Sequence, residues 1–469
     1  MGSFLASLIK AVRRDNIHAT RRIERPLYIG IIEAILCLMV LAGCMTGNGS
    51  GSPSVTGNHT QTCFPGKGPV PGPVMFHPTP GQSGLYAIGG QGIYRFSTTG
   101  GHLAPIWLYK MHDCIVLTPT PDPGGPVPLF ALPRILDGLT VADNMVFFGV
   151  NETGSWVDLY AVHADTGSLA WKVRVTDASG IGGLLVLHDL IYIETGASTN
   201  GSPDYIIRAL NVRNGSLRWS YRYQADFTND TQELREVGNG EVYITSSRTL
   251  YALNATTGKQ LWSAIFYGDQ NFSGVRLLDG VIYATSSAGC FNCEVQPASS
   301  AVYAFNATTG AQIWQSQRVA GYLTLPTEAR GIVYAGSQDG YLYALRATNG
   351  TVLWRHYTGG ELHVQPQVVD GLVCAGTAPF LGKDDPNTTS THLFAYDAAS
   401  GRQRWSYTFS PNQYYGYPPI LAGNGLLYTT PTGDLTAHLI DILQAATGKL
   451  VQQYRITISG YFLSLTLAS

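Results

Sequence analysis

The sequence predicts an all-β fold, an eight-bladed β-propeller (seven blades as the alternative) of four-stranded antiparallel sheets. Three observations carry that prediction. A phrase of the form Leu-Tyr-Ala-x-Asn-x-x-Thr-Gly-x-x-x-Trp recurs along the chain, its glycines mostly fall at steps in the forties, and short apolar runs alternate with turn residues. Each unit of such an array buries its faces only against its neighbours, so one repeat domain replaces the two or three domains that 469 residues would otherwise suggest.

Six copies are complete: Leu159–Trp171, Ile207–Trp219, Leu250–Trp262, Val302–Trp314, Leu342–Trp354 and Leu393–Trp405. A seventh ends at Gly448 with Gln452 in the tryptophan's place, and an eighth, Ile93–Gly100, has Trp107 displaced downstream. The steps from Gly100 are 67, 48, 43, 52, 40, 51 and 47 residues.

The third unit shows how one repeat becomes one blade. Glu241–Thr245, Thr249–Asn254 and Gln260–Phe266 read as strands, and a fourth lies around Leu234–Val237, recurring as Gly274–Leu278 and Val364–Val369. The Asn-x-x-Thr-Gly segment is a tight turn, in which the amide side chain bonds to nearby backbone and glycine supplies positive φ. Leu-Tyr-Ala-Leu lacks alternation because both faces of the sheet are covered. The alanines at 161, 209, 252, 304, 344 and 395 are expected to leave room for the tryptophan of a nearby blade.

Composition excludes other classes. Apolar residues make up 45% and charged residues 13%, with 54 glycines, which fits packed sheets with many turns rather than disorder. The net charge of −2 and the absence of a basic stripe beyond the N-terminus argue against a nucleic-acid partner.

Three segments are expected: 1–44 as signal or anchor, 45–80 as tether and irregular lead-in, and 81–469 as propeller. Six Lys and Arg residues up to Arg25 precede an apolar stretch, Leu27 to Leu41, interrupted by Glu33 and ending Leu41-Ala42-Gly43-Cys44. That tetrapeptide resembles the bacterial lipobox, which would make Cys44 the acylated first residue of the mature chain. An uncleaved transmembrane helix or an ordinary cleaved signal are the alternatives, although the stretch is short for a span and carries a glutamate. All three place the propeller outside the cytoplasm, in a bacterial cell envelope. Eleven Asn-x-Ser/Thr sites occur, several as by-products of the repeat turn, and a bacterial host discounts their glycosylation.

Cys290-Phe-Asn-Cys293 reads as a local disulfide in a loop. A zinc half-site would need two further ligands, and haem attachment would need histidine where Glu294 stands. Cys63 and Cys114 are candidates to pair, and Cys374 reads as a buried small apolar residue.

The pattern Ala-x-Asp-x-x-Thr-Gly-x-x-x-Trp resembles the pyrroloquinoline-quinone-like (PQQ-like) repeats. That group includes quinoprotein dehydrogenases and the lipoprotein of the outer-membrane β-barrel assembly machinery, and the resemblance, closer to the latter, covers roughly Leu85 to the C-terminus. It implies that Trp171, Trp219, Trp262, Trp314, Trp354 and Trp405, with Gly167, Gly215, Gly258, Gly310, Gly350 and Gly401, dock blade to blade rather than bind a cofactor. The family aspartate survives only as Asp397. Asn211, Asn254 and Asn306 can do the same turn chemistry, whereas His163 and Arg346 put their turns in doubt.

Function is less legible. The Cys-Cys pair that the dehydrogenases carry beside the quinone is missing, no calcium-loop spacing occurs, and Gly-x-Ser-x-Gly, HExxH and phosphate-loop motifs are absent. No cofactor, metal or catalytic residue is therefore expected, PQQ with Ca²⁺ entering only under an oxidoreductase alternative. Glu361 and His363 could face the channel before an inner strand, as could Arg235 and Arg276. Units two, four and six carry long links, Thr195–Tyr205, Ser286–Ala301 and Thr377–His392, where units three and five use tight ones. Insertions gathered on one face mark a binding surface, and Phe380, Asp384 and Asp385 suit protein or glycan contact. The expectation is a monomeric, membrane-tethered, protein-binding scaffold without catalysis. Its alternatives are a PQQ-dependent oxidoreductase and an extracellular sensor or carbohydrate-binding module.

Overall fold

Eight antiparallel sheets follow one another along the chain, and seven of them run from an inner strand outward in sequence order, the first being completed by strands from both ends of the described chain. The computed structural model describes residues 73–468 except 76–83, 90–91, 99–102, 111–133, 136–138, 152–155, 177, 179, 200–201, 225–232, 247, 266–269, 289–298, 379–390, 410–419, 431–437 and 457–463. Blade 1 comprises 73–110 with 464–468, and blades 2 to 8 comprise 134–176, 181–224, 233–265, 270–320, 327–357, 367–408 and 420–456. In blade 4 the strands are Glu233–Gly238, Glu241–Ser246, Thr249–Asn254 and Gln260–Ile265, each within a residue or so of its expected bounds. The eighth copy of the repeat, the one with the displaced tryptophan, is blade 1.

From blade 6 round through blade 1 to blade 5, the innermost strands of neighbouring blades touch in turn. Between blades 5 and 6 a shared cluster with Tyr283, Ala304, Trp314, Val333 and Tyr343 makes the junction. Several inner strands are also stitched through hydroxyls one step apart in the repeat. Thr466 Oγ1 donates to Leu139 O, Thr140 Oγ1 to Leu184 O, and Thr327 Oγ1 to Pro366 O.

In blades 2 to 8 the inner hairpin turns through residues with positive φ, such as Asn239 and Gly240 at 53° and 78° or Asp279 and Gly280 at 48° and 75°. Two positive φ values in succession give a turn whose twist matches the strands it joins, hence the Asn-Gly and Asp-Gly pairs. The carbonyl closing that turn accepts the N–H of the residue three before the repeat glycine: Gly240 O from Ala255, Gly280 O from Ala307, Gly371 O from Ala398. The inner hairpin therefore fixes the outer turn.

In blades 2 to 8 the outer turn closes the same way, by an i→i+4 backbone bond onto residues such as Asn254 and Asn306. It forms equally at His163 and Arg346, where Gly167 N and Gly350 N donate to their carbonyls at 2.7 and 2.8 Å. The backbone bond does not need the amide side chain. Where that side chain is present it adds a second contact, as in Thr257 N to Asn254 Oδ1 at 2.9 Å.

Just before each tryptophan the outer strand carries a one-residue bulge. Ala252 pairs with Trp262 and Leu253 with Gln260, leaving Leu261 as the extra residue, and the register slips at the same place in all eight sheets. A bulge twists its strand and re-aims the next side chain. The seven indoles accordingly lie against the turn glycine of the following blade. A Cβ added to Gly167, Gly215, Gly258, Gly310, Gly350, Gly401 or Gly448 would come within 2.4–2.9 Å of the preceding blade's indole. Each Nε1 donates at 2.7–3.2 Å to the carbonyl three residues before that glycine.

The repeat alanines serve a different neighbour from the one the sequence suggests. Ala209 is the cross-strand partner of Trp219 in its own blade and of Tyr192 on the other side. Its small side chain lets the two rings meet over it, with centroids 5.8 Å apart. The same row recurs with centroids 5.9–6.1 Å apart in blades 2, 4, 5 and 6. The residue cleared for the neighbouring blade's indole is the glycine. Buried Cys374 takes the aromatic's place in the row of blade 7.

Blade 1 receives both ends of the described chain. Ser464–Ala468 pairs antiparallel with its Gly84–Gly89 strand and occupies the innermost position, within the expected closing tail. Pro73–Met75, from the expected lead-in, adds a strand to the outer edge. Gln452 stands where the eighth tryptophan would be, and its Oε1 accepts the Leu103 N–H at 2.7 Å across the seam from blade 8 to blade 1.

Candidate functional site

One face of the wheel carries the hairpins between second and third strands together with the crossings from each outer strand to the next inner strand. Blades 4 and 6 keep these hairpins short, Ser246 to Thr249 and Gly336 to Tyr341. The long link of blade 3 is not a loop. Its two strands extend to ten residues each, pairing from Thr195 with Ile206 out to Thr199 with Ser202. The blade 5 link begins the same way, reaching Ala288 paired with Ser299, and blade 7 is paired to Thr377 and His392. Cross-strand bonds cost less order than a free loop of equal length, so the insertions are partly rigid.

Between the tight turn of blade 6 and the hairpin of blade 7 runs the crossing that carries Glu361 and His363. Thr358 N and Oγ1 both donate to Gly340 O, and Leu362 is buried beside Gly336 with its N–H on Ser337 O. Glu361 N and O pair with Ala378 O and N at 2.9 and 3.0 Å. Gly360 makes that approach feasible, because a Cβ there would lie 2.4 Å from Ala378 O. Residues 361 and 363 thus share one side of an extended segment. Glu361 Oε2 and His363 Nε2 are 2.8 Å apart, both are partly exposed, and the Gln338 amide lies 3.4 Å from the imidazole nitrogens. Gln338 Oε1 in turn accepts the Tyr322 N–H at 3.3 Å. The arrangement offers a carboxylate and amide groups oriented by hydrogen bonds, which suits recognition of donors and acceptors on a partner.

Arg276 is engaged elsewhere. Its Nη1 meets Glu236 Oε2 at 3.2 Å between the inner strands of blades 4 and 5, in the ring position where other blades use threonine stitches. Burial raises the Glu236 pKa although Arg276 opposes it. Arg235 is the extra residue of a bulge in the blade 4 inner strand, between Leu234 and Glu236. Cys44, Cys63, Cys114, Cys290, Cys293, Phe380, Asp384 and Asp385 lie outside the described residues.

Sequence reading missed three groups. Gln338 sits in a turn whose only signal was its shortness. Asp158, fully buried, is gripped by Arg174 through two bonds of 2.9 and 3.1 Å and by Lys172 at 2.7 Å. Burial pushes its pKa up, but those two cations outweigh it and hold the carboxyl below its ordinary value. Asp441, also buried, accepts from Gln453 Nε2 and Tyr407 Oη, and its pKa is raised by burial.

Comparison with known proteins agrees with this architecture. The chain is 24% identical over 338 residues to the tetrathionate hydrolase of Acidithiobacillus ferrooxidans, covering 69% of this chain and 57% of that protein. It is 24% identical over 334 residues to outer membrane protein assembly factor BamB of Yersinia pestis, covering 66% of this chain and 75% of the relative. Among solved structures, BamB from Moraxella catarrhalis superposes with a TM-score of 0.50 at 18% identity, over 77% of this chain and 96% of that one. A quinohemoprotein alcohol dehydrogenase from Pseudomonas putida also gives 0.50, at 14% identity, over 70% and 67%. At such identities the solved structures speak for the fold. The family model described as outer membrane protein assembly factor BamB matches residues 131–293, 203–325 and 298–459 in overlapping segments, so the chain belongs to that family of PQQ-like repeat propellers.

Proposed function

We propose that this propeller is a protein-binding scaffold of a bacterial cell envelope, held at a membrane through its N-terminal segment and acting without catalysis. The observation that carries the reading is the loop face. Strand-paired hairpin extensions stand on it, as does the short turn of blade 6, and the Glu361–His363–Gln338 group lies between that turn and blade 7. Membership in a family described as an outer membrane protein assembly factor supports a protein partner.

The test is affinity capture from native membranes with the full chain, followed by variants of this face. Replacing 197–204 with a tight turn, or Glu361→Ala with His363→Ala, should leave the melting temperature intact and reduce capture of a specific partner at least tenfold. Unchanged capture by both variants would reject the proposal. A second reading, an enzyme, draws on the tetrathionate hydrolase similarity and the hydrogen-bonded carboxylate–imidazole pair. Dye-linked alcohol oxidation after adding the quinone with Ca²⁺, and tetrathionate turnover, decide it.

A further inference from the structure

Asp441 lies at the junction of blades 7 and 8 and is only 1% exposed. Its Oδ2 accepts Tyr407 Oη of blade 7 at 3.1 Å, and its Oδ1 accepts Gln453 Nε2 of its own blade at 2.8 Å. Both donors are neutral. Asp158 and Glu236, by contrast, have cations, the first Lys172 and Arg174 and the second Arg276. Among the described residues no Lys, Arg or His side chain pairs with Asp441. A buried carboxylate without a counter-charge is costly. Burial accordingly raises its pKa, although Gln453 and Tyr407 both act the other way.

The strand beside it supplies a second, independent observation. Thr429 is the cross-strand partner of Asp441. Side chains directly opposite in an antiparallel pair project from one face, with Cβ atoms about 5 Å apart. Thr429 is 0% exposed, and its Oγ1 has no hydrogen-bond partner. Its cross-strand neighbour on the other side is Ile420, and the surrounding face is apolar, with Leu393 and Phe409 of blade 7 and Leu427 and Leu443 of blade 8. A hydroxyl and a carboxylate thus stand side by side in an apolar setting without bonding to each other. Tyr407 is partly exposed and Gln453 exposed, so the carboxylate lies one side chain beneath the surface and can be reached.

We propose that this junction binds a monovalent alkali cation, through the Asp441 carboxylate and the hydroxyl oxygens of Thr429 and Tyr407. Water alone would satisfy the Thr429 hydroxyl but leave the buried charge uncompensated, whereas a cation answers both. Tyr407 gives its proton to Asp441 and keeps its lone pairs for the ion. A single carboxylate matches a single positive charge. Ca²⁺, which takes about 6–8 oxygens, is poorly served here. The ion ties blade 7 to blade 8 through the residue next to Gln452, which holds the seam to blade 1.

The experiment follows thermal unfolding of the full chain at equal ionic strength in the chlorides of sodium, potassium and N-methyl-D-glucamine, the last an organic cation too large for the site. Sodium or potassium should raise the melting temperature by about 2 °C over the organic cation, the linkage effect of a largely filled site. Which of the two ions acts identifies the ligand. Thr429→Val, of nearly equal volume, and Asp441→Asn should each abolish that difference. Ser246→Ala, which removes an unpartnered buried hydroxyl of blade 4, should keep it. Equal melting temperatures in all three chlorides, which leave water as the occupant, overturn the proposal. So does a shift retained by either junction variant, or stabilisation by calcium chloride alone.

Discussion

The Nε1 of Trp262 donates to Ala307 O of the next blade at 3.0 Å, and its ring lies where a Cβ on Gly310 would come within 2.5 Å. One side chain thus bonds to a turn and fills the space above it, and six other tryptophans do the same in blades 1 to 3 and 5 to 7.

Gly310→Ala should therefore be costly for two reasons. The φ of 70° resists any side chain, and the new methyl would meet the indole rather than solvent. A loss of about 2–4 kcal/mol is expected from the strain and overpacking together. Gly331→Ala, with a φ of 78° but open space around it, should lose about 1 kcal/mol. Chemical denaturation of the two variants measures the difference.

The docking indoles should outrank the amide at the seam. Trp262→Ala removes a half-buried ring and its hydrogen bond, for about 3 kcal/mol. Gln452→Ala strands the Leu103 N–H, for about 1–2 kcal/mol. If thermal melting gave the reverse order, blade 8 and blade 1 would be held more by that amide than by the packing of Phe96, Leu103 and Tyr454 around it.

How much of this was readable in the chain can be judged from the same residues. The glycine and tryptophan of each copy announced the number of units and the turn between strands, because those are local requirements of φ and volume. The bulge was not announced. It shows only when Ala252 and Gln260 are placed on opposite strands, since it is a mismatch of register rather than a residue type. The alanine was assigned to the wrong neighbour for the same reason: its partner Tyr192 or Tyr243 lies a whole strand earlier. Of the candidate site, Glu361 and His363 were named together from their place before an inner strand, whereas Gln338 comes from a turn on the preceding blade. Arg276 looked free because its partner, Glu236, sits forty residues earlier.

The buried acids should give opposite pH slopes. Asp158 has its folded pKa below the ordinary value of 3.8, so its contribution is present above that value and is lost as pH falls through the folded pKa. Asp158→Asn should flatten the acid limb of stability and cost about 2–3 kcal/mol at neutral pH, since two cations lose their partner. Glu236 has its folded pKa above 4.5. Its contribution is full below 4.5 and fades as pH rises through the folded pKa, so Glu236→Gln should remove a decline on that side. Unfolding free energies measured from pH 3 to 8 check both signs.

Cys374 should be chemically silent in the native state. Burial pushes its thiol up to about 12, so almost no thiolate exists at neutral pH and no path to solvent is open. Peptide mapping after iodoacetamide treatment should find residue 374 unmodified in the folded protein and alkylated after denaturation.

Because Ser464–Ala468 is the innermost strand of the very blade that begins the wheel, synthesis order matters. Blade 1 precedes the other seven blades along the sequence yet waits for residues 464–468 before its own sheet is complete. A nascent or prematurely terminated polypeptide must hold that gap open with Tyr86 and Leu85 facing no inner strand, and such an unpaired edge is a template for chaperones or for aggregation.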